Sequence, residues 1–395
     1  MSATHTDYQF IDNQKALEEF HQKNASIEWM AFDTEFVGEK RFHTKICLIQ
    51  VASEHGNFLI DPLKIEDWQP FLNLIENENI LKITHAGEND YRLLFQQHDV
   101  LPKNVFDTQI AAGLVGYNYP VAFQKLVAKE LNLFLKKGYA VADWEARPLD
   151  EQQLKYALND VLYLKELYNR LYDKLEAQKR LEWAFEEFEV LENASYYMRD
   201  PNKEILDSNL MRVLRKKEQL FLMRLYKWRQ EEARNKNYSK EMILPNKMMG
   251  HVVRSIGSGK AALKNNRRIP AKLSKNYGDL FEEMYNREKT EEERQVLKQL
   301  TNGHIDDPKQ ELLIEMLYLI VKYTCLERQV SPNMVFSKAE LKKTLNNRDL
   351  ALKLLGTGWR KELLGEDFSE WILNIDQLQL EVQDGKVVFQ VNGKQ

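Results

Sequence analysis

The 395-residue sequence contains only two cysteines, Cys47 and Cys325. Neither belongs to a CxxC pair or a Cys/His cluster. A disulfide framework and a structural zinc are therefore not expected, and a reducing, cytoplasmic setting is. Long apolar runs are missing too. The longest, LLIEMLYLIV at 312–321, is too short to span a bilayer and carries Glu315, so it reads as a buried helix. The opening MSATHTDYQF lacks the basic-then-apolar order of a secretory signal, and no membrane partner is expected. No low-complexity tract and no fixed-period repeat is evident. What is present, 43% hydrophobic and 29% charged residues, suits a folded protein long enough for two or three domains.

The net charge of −4 conceals an asymmetry. Residues 201–280 hold 19 Lys and Arg against 7 Asp and Glu, a net of +12, so the remainder carries −16. A basic module joined to acidic ones suggests a polyanionic partner, although Lys and Arg also populate ordinary solvated helices.

Strand and helix patterns alternate in the first part. Short strands are expected at YQFI (8–11), IEWMAFDTEF, KICLIQVAS (45–53), NFLIDP (57–62), ILKITHA (80–86) and NVFDT (104–108). Helices are expected at 65–77 and 88–97, and in a long run from Leu149 to about Leu191. This is an α/β pattern with a mixed sheet, an antiparallel meander first and crossovers after it. Residues 1–198 form this first domain, and RDPNKEILDSN (199–209) reads as a linker. Two helical domains, 210–290 and 291–376, follow. LQLEVQDGKVVFQV then reads as a hairpin turning at Asp384–Gly385 within a tail from 377 to 395.

Five residues carry the chemistry. Asp33 and Glu35, two apart in an apolar strand, share one face, where like charges in low dielectric need a neutralising partner. A register facing solvent or an arginine partner would also answer that need. Asp90 lies early in the helix after the strand at 80–86, where an acid also favours the helix dipole. Tyr156 and Asp160, i and i+4 in YALNDVLYLKELY, share one helix face. His85 reads as a hydrogen-bonded core residue, Asp107 as a helix N-cap, and Lys40 and Arg41 as either phosphate contacts or a solvated loop.

Together with DTEF followed by ICLIQVA, HAGENDYRLL, VFDTQIAAGLVG, ADWEARPL and QLKYALNDVLYL, these acids resemble the ribonuclease D family. That family belongs to the Tyr-containing subclass of DEDD 3′→5′ exonucleases. LYKWRQEEARNKN (225–237) resembles the first half of an HRDC module, and GWRKELLGEDFSEWI (358–372) a second, more divergent one. The stretch LFLKKGYAVADW departs from the family, which usually has a Ser/Thr- and Arg-bearing segment there.

The resemblance implies an α/β RNase H-like exonuclease domain followed by all-α HRDC-type helical domains. It also implies a pair of divalent cations, Mg²⁺ or Mn²⁺, held by Asp33, Glu35, Asp90 and Asp160, with Tyr156 orienting the attacking water. RNA 3′ ends, tRNA precursors among them, are the implied substrate. Single-stranded DNA is the same-class alternative, and a non-catalytic nucleic-acid scaffold the different-class one. Phe36 and Val37 are candidates for contact with the terminal base, and Arg215, Lys216, Lys217, Arg224 and Arg229 for contact with phosphate. Trp228 could stack on a base, but its spacing reads as core.

Overall fold

A computed structural model describes residues 7–135, 138, 142–198, 200–301, 308–345, 347–383 and 386–391. Within them the chain divides into two compact units. One draws on residues 1–35, 46–197 and 306–395, the other on residues 36–45 and 198–305.

The first unit begins with β1 (Gln9–Ile11), α1 (Gln14–Asn24), β2 (Trp29–Val37), β3 (Lys45–Ser53), β4 (Gly56–Ile60), α2 (Gln69–Glu76), β5 (Leu81–Thr84), α3 (Glu88–His98) and β6 (Val105–Asp107). The sheet order is β1-β4-β3-β2-β5-β6. β3 and β4 pair antiparallel, whereas β1 with β4, β2 with β5 and β5 with β6 pair parallel. The expected mixed sheet is thus present, and β2 lies inside it. Phe32 of β2 sits in a buried cluster with Leu17 and Phe20 of α1, Phe71 of α2 and Leu94 of α3. Its ring meets those of Phe71 and Tyr91 edge-on at 6.1 and 5.5 Å. The helix expected over 65–77 starts only at Gln69, because Pro70 lacks the amide proton of a helix interior and fits the first turn.

After β6 come α4 (Thr108–Leu114), α5 (Phe123–Leu131), α6 (Glu151–Leu162), α7 (Leu164–Ala177) and α8 (Leu181–Leu191). The single run read from Leu149 to Leu191 is therefore broken, at Tyr163 and around Lys179, whose φ is +58°. Short α9 (Ala194–Tyr197) ends this part.

The second unit contains α10 (Lys203–Leu206), α11 (Asn209–Val213), α12 (Lys216–Lys236), α13 (Lys240–Ile243), α14 (Asn246–Ile256), α15 (Lys260–Asn265), α16 (Ala271–Asn286) and α17 (Glu291–Thr301). Part of the expected linker is helical here and buries Ile205, and α11, which starts at its end, buries Met211. The domain boundary expected at 290 also falls elsewhere. α17 stays with the second unit, where Val296 joins its core and Glu293 pairs with Arg224 of α12 at 2.7 Å. Trp228 is core, edge-on to Tyr277 and Phe281 at 4.9 and 4.8 Å.

The remaining helices belong to the first unit. They are α18 (Pro308–Glu327), α19 (Pro332–Val335), α20 (Lys338–Leu345), α21 (Arg348–Leu355), α22 (Trp359–Leu364) and α23 (Glu366–Leu373). They share one core with Phe106, α4, α7 and α8 rather than closing on themselves. Trp359 stacks on Trp183 at 5.8 Å, and Trp183 Nε1 donates to Glu362 at 2.8 Å. Glu187 accepts from Trp359 Nε1 and Arg360 Nη1, both at 2.7 Å. α18 buries one side and leaves Leu312, Leu319, Tyr323 and Leu326 exposed, so LLIEMLYLIV is only half a buried helix. β7 (Leu378–Gln383) and β8 (Lys386–Val391) pair antiparallel as the expected hairpin, and its turn at Asp384–Gly385 lies outside the described residues. No helix among the described residues is long and apolar enough to cross a membrane.

Candidate active site

Alternation along β2 puts Asp33 and Glu35 on one face, both half-buried, with Thr34 buried between them. β2 and β5 run parallel in register Ala31↔Ile83, so α3 starts from the same end of the sheet at which Asp33 and Glu35 lie. The turn from β5 into α3 is tight. Ala86 has φ +59°, and a Cβ on Gly87 would lie 2.5 Å from Thr84 Oγ1, so only glycine fits there. Asp107 holds this turn. Its carboxylate accepts from Gly87 N at 2.8 Å and Ala86 N at 3.2 Å, and from Gln109 N and Ile110 N at the start of α4. The expected N-cap thus also fixes the turn from which Asp90 projects.

α6 supplies the other side. Asp150 and Gln153 close a capping box at its N-terminus, which sets where the helix begins and hence where Tyr156 and Asp160 fall. The preceding loop is fastened by Arg147, whose guanidinium bonds both Asp61 oxygens and Cys47 O at 2.7 Å, and Trp144 O at 2.8 Å. Arg147 lies in the quoted ADWEARPL stretch, but sequence reasoning assigned it no part in positioning α6.

The result is convergence. Carboxylate oxygens of Asp33, Glu35 and Asp160 all lie within 4.8 Å of one another. Among the described residues this is the one group of three acidic, His or Cys side chains close enough to share a metal ion. The three open into a cavity of about 290 Å³ also lined by Tyr156, His85, Phe123 and Gln124. Asp90 stands outside the triplet. It is buried, and its Oδ1 accepts from the Thr34 hydroxyl. Thr34, Phe123 and Gln124 are the residues that sequence reasoning missed. Thr34 sits in the quoted DTEF, while nothing in the pattern at 122–124 marked a cavity wall.

Burial pushes the acids up. Asp33 is held well above the usual carboxylate range by desolvation first, then by the charges of Asp90, Asp160 and Glu35. Glu35 rises to about 8 through burial and the charges of Asp160 and Asp90. Asp160 rises to about 7 through burial. Asp90 also rises to about 7 through burial, against the lowering effect of the Thr34 hydrogen bond. No Lys or Arg among the described residues forms an ion pair with any of the four acids. Carboxylates gathered this way without a counter-charge fit hard divalent cations, which take oxygen ligands and replace the protons.

The Tyr156 phenol, half-buried 6.3 Å from the Trp144 ring, is likewise pushed up, by desolvation and the nearby acids, and stays protonated. His85 is occupied, with Nδ1 2.9 Å from Thr108 Oγ1 and Nε2 2.9 Å from Val121 O, and burial lowers its basicity. Phe36, 39% exposed, and half-buried Val37 end β2 and open the 36–45 segment, which packs with the second unit.

Of the five basic residues assigned to phosphate, Arg215, Lys216 and Lys217 are exposed. Arg224 and Arg229 are not, and the structure removes them from that set. Arg224, 3% exposed, bonds both Glu293 oxygens at 2.7 Å and three carbonyls. Arg229, 1% exposed, bonds Glu204, Leu244 O and Asn246 Oδ1. Burying a guanidinium demands such partners, and at this depth neither side chain is open to a ligand.

Carboxylates converging beside the central strand of a mixed α/β sheet, with a tyrosine on the facing helix, define a nuclease of the 3′→5′ exonuclease class. Residues 8–176 match the family model described as a 3′-5′ exonuclease, and residues 218–284 match the HRDC domain model. Ribonuclease D of Bartonella henselae is 30% identical over 86% of this chain and 84% of its own length, and that of Nitrobacter hamburgensis is 28% identical over 92% and 94%. The chain belongs to the ribonuclease D family and is a 3′→5′ exoribonuclease. The crystal structure of Escherichia coli RNase D shares the fold, with a TM-score of 0.78 over 92% of this chain and 98% of that one, at 23% identity. Use of divalent cations follows from that class of nuclease and from the acid cluster.

Proposed function

We propose that the chain trims 3′ ends of structured RNA precursors, tRNA among them, one nucleoside 5′-monophosphate at a time, in the cytoplasm. The observation that carries the reading is the approach of Asp33, Glu35 and Asp160 to within 4.8 Å in an open cavity. These three would hold a pair of Mg²⁺ or Mn²⁺ ions with Asp90 as the fourth acid. Such a pair supplies a hydroxide at neutral pH and screens charge on the reacting phosphate. Asp33, which feels the charges of all three other acids, would be a principal ligand of such ions. The Thr34 hydroxyl keeps Asp90 oriented. Tyr156, protonated across the physiological range, donates or accepts one hydrogen bond and orients the attacking water rather than taking its proton.

The Escherichia coli relative is described as an exoribonuclease involved in structured RNA processing, which supports RNA over DNA. Phe36 and Val37 contact the terminal base, and Arg215, Lys216 and Lys217 contact phosphates without reading sequence. The HRDC-like reading of the C-terminal helices rests on the GWRKELLGEDFSEWI likeness. The deciding assay uses RNA and DNA oligonucleotides labelled at either end, with and without EDTA. Stepwise shortening of 5′-labelled RNA that EDTA abolishes is expected. Faster shortening of the DNA, or loss of label from the 5′ end first, would overturn the substrate or the polarity.

A further inference from the structure

α18 is apolar on two sides. Ile314, Leu317, Val321 and Cys325 face the core of the first unit. The other side exposes Leu312 at 61%, Leu319 at 61%, Tyr323 at 62% and Leu326 at 78%. A single exposed leucine is ordinary, but four large apolar side chains on one helix face, where charge is expected, mark a surface that something covers. We propose that it is covered by a second copy of the chain, the two α18 helices lying antiparallel about a two-fold axis at Leu319.

The face complements itself, which a two-fold interface requires. Leu312 and Leu326 each stand seven residues from Leu319, close to two helical turns. In an antiparallel pair, Leu312 therefore meets the partner's Leu326, and Leu319 meets its own copy. The flanks agree as well. Glu315 and Lys322, both exposed, lie on the same side of the stripe, four residues before and three after Leu319. Antiparallel pairing sets Glu315 within about 1.5 Å, along the axis, of the level of the partner's Lys322, and does so twice. Met316 then lies across from the partner's Tyr323 on the other flank. A parallel pair would instead put the partner's Glu315 and Lys322 on the opposite flank, where neither meets its counter-charge, so the ion pairs favour the antiparallel form. Glu315 also meets Lys338 of its own chain at 2.8 Å while remaining exposed, so it can serve both.

One helix seam is a small interface, so association in the micromolar range is expected. Sedimentation equilibrium of the full chain across that range should show a mass rising from 46.7 kDa towards twice that value. Leu319→Glu places like charges on the axis and should keep the chain monomeric, with its exonuclease activity on short single strands unchanged. Cys47 and Cys325 are buried, so introduced thiols can report alone. Under diamide, which takes up the two electrons and protons of each new disulfide, Leu319→Cys should link to itself. Leu312→Cys should link to Leu326→Cys in a mixture but not to itself. A wild type monomeric throughout, a dimer that persists in Leu319→Glu, or self-linking of Leu312→Cys would overturn the proposal; the first leaves the face to another protein.

Discussion

Two clusters of buried charge in this molecule are treated in opposite ways. In the second unit, Arg224 and Arg229 are almost wholly enclosed, and each is surrounded by carboxylates and carbonyls. Glu293 beside Arg224 is held below its usual range, chiefly by that guanidinium. In the first unit, Asp33, Glu35, Asp90 and Asp160 are drawn together without an ion pair to any Lys or Arg among the described residues, and all four are pushed up. The first arrangement carries its own counter-charges and is therefore structural. The second is incomplete and waits for ions. Burial alone does not separate a scaffold charge from a working one; the presence or absence of an internal counter-charge does.

The comparison breaks first at Asp160. Asp160→Asn should lower turnover by about a thousand-fold or more in saturating Mg²⁺ or Mn²⁺ while the apparent affinity for RNA changes little, since the loss falls on stabilisation of the reacting phosphate. The folded state of the metal-free variant should be no less stable, because one repelling charge has gone. Turnover near that of the wild type would remove Asp160 from the chemistry. Arg224→Ala is the converse. It strands Glu293 and should destabilise the second unit by about 3–5 kcal/mol in denaturant titrations, with cleavage of short single strands retained. A shift no larger than that of an exposed Lys216→Ala would mean that the ion pair contributes nothing.

Acidity sharpens the contrast further, because the signs differ. Glu35 titrates near 4.5 unfolded and near 8 folded, so the folded state binds the extra proton. In chelator, the contribution of the acid cluster is full below about pH 4 and is lost as pH rises through 8. For Glu293 the folded value is the lower one, so its contribution is present above the ordinary carboxylate range and is lost as pH falls through the folded value. Thermal melts of the metal-free chain from acid to pH 8 should show both trends. A melting profile flat between pH 5 and 8 would contradict the raised acids. The smallest effect belongs to the surface. Replacing Lys216 and Lys217 together should weaken RNA binding only a few-fold and reduce its salt dependence by up to about two in the log–log slope.

Much of the site was legible because its chemistry is local. Asp33 and Glu35 share a strand face by alternation, and Tyr156 and Asp160 share a helix face by the i, i+4 rule, whatever lies around them. The order of motifs then tied those faces to one family. Tertiary enclosure was not legible. Arg224 and Arg229 sit in the most basic stretch of the chain, and nothing local distinguishes an arginine wrapped by Glu293 or Glu204 from one reaching into solvent. The placement of α17 and the C-terminal helices failed for the same reason. Val296 and Trp359 look like ordinary core residues, and only their partners, Arg224's neighbourhood for one and Trp183 with Glu187 for the other, assign them to a unit. Thr34 was in view within DTEF, but its hydrogen bond to Asp90 spans 56 residues.

The account rests on the unpaired acids being a cation site. The most direct measurement is calorimetric titration of Mn²⁺ into the metal-free chain at pH 7, in buffers of different ionisation enthalpy, for the wild type and for Asp33→Asn. The wild type should bind with release of protons from the raised carboxylates, and Asp33→Asn should lose most of that binding. Equal binding by both proteins, or binding without any proton release, would contradict it.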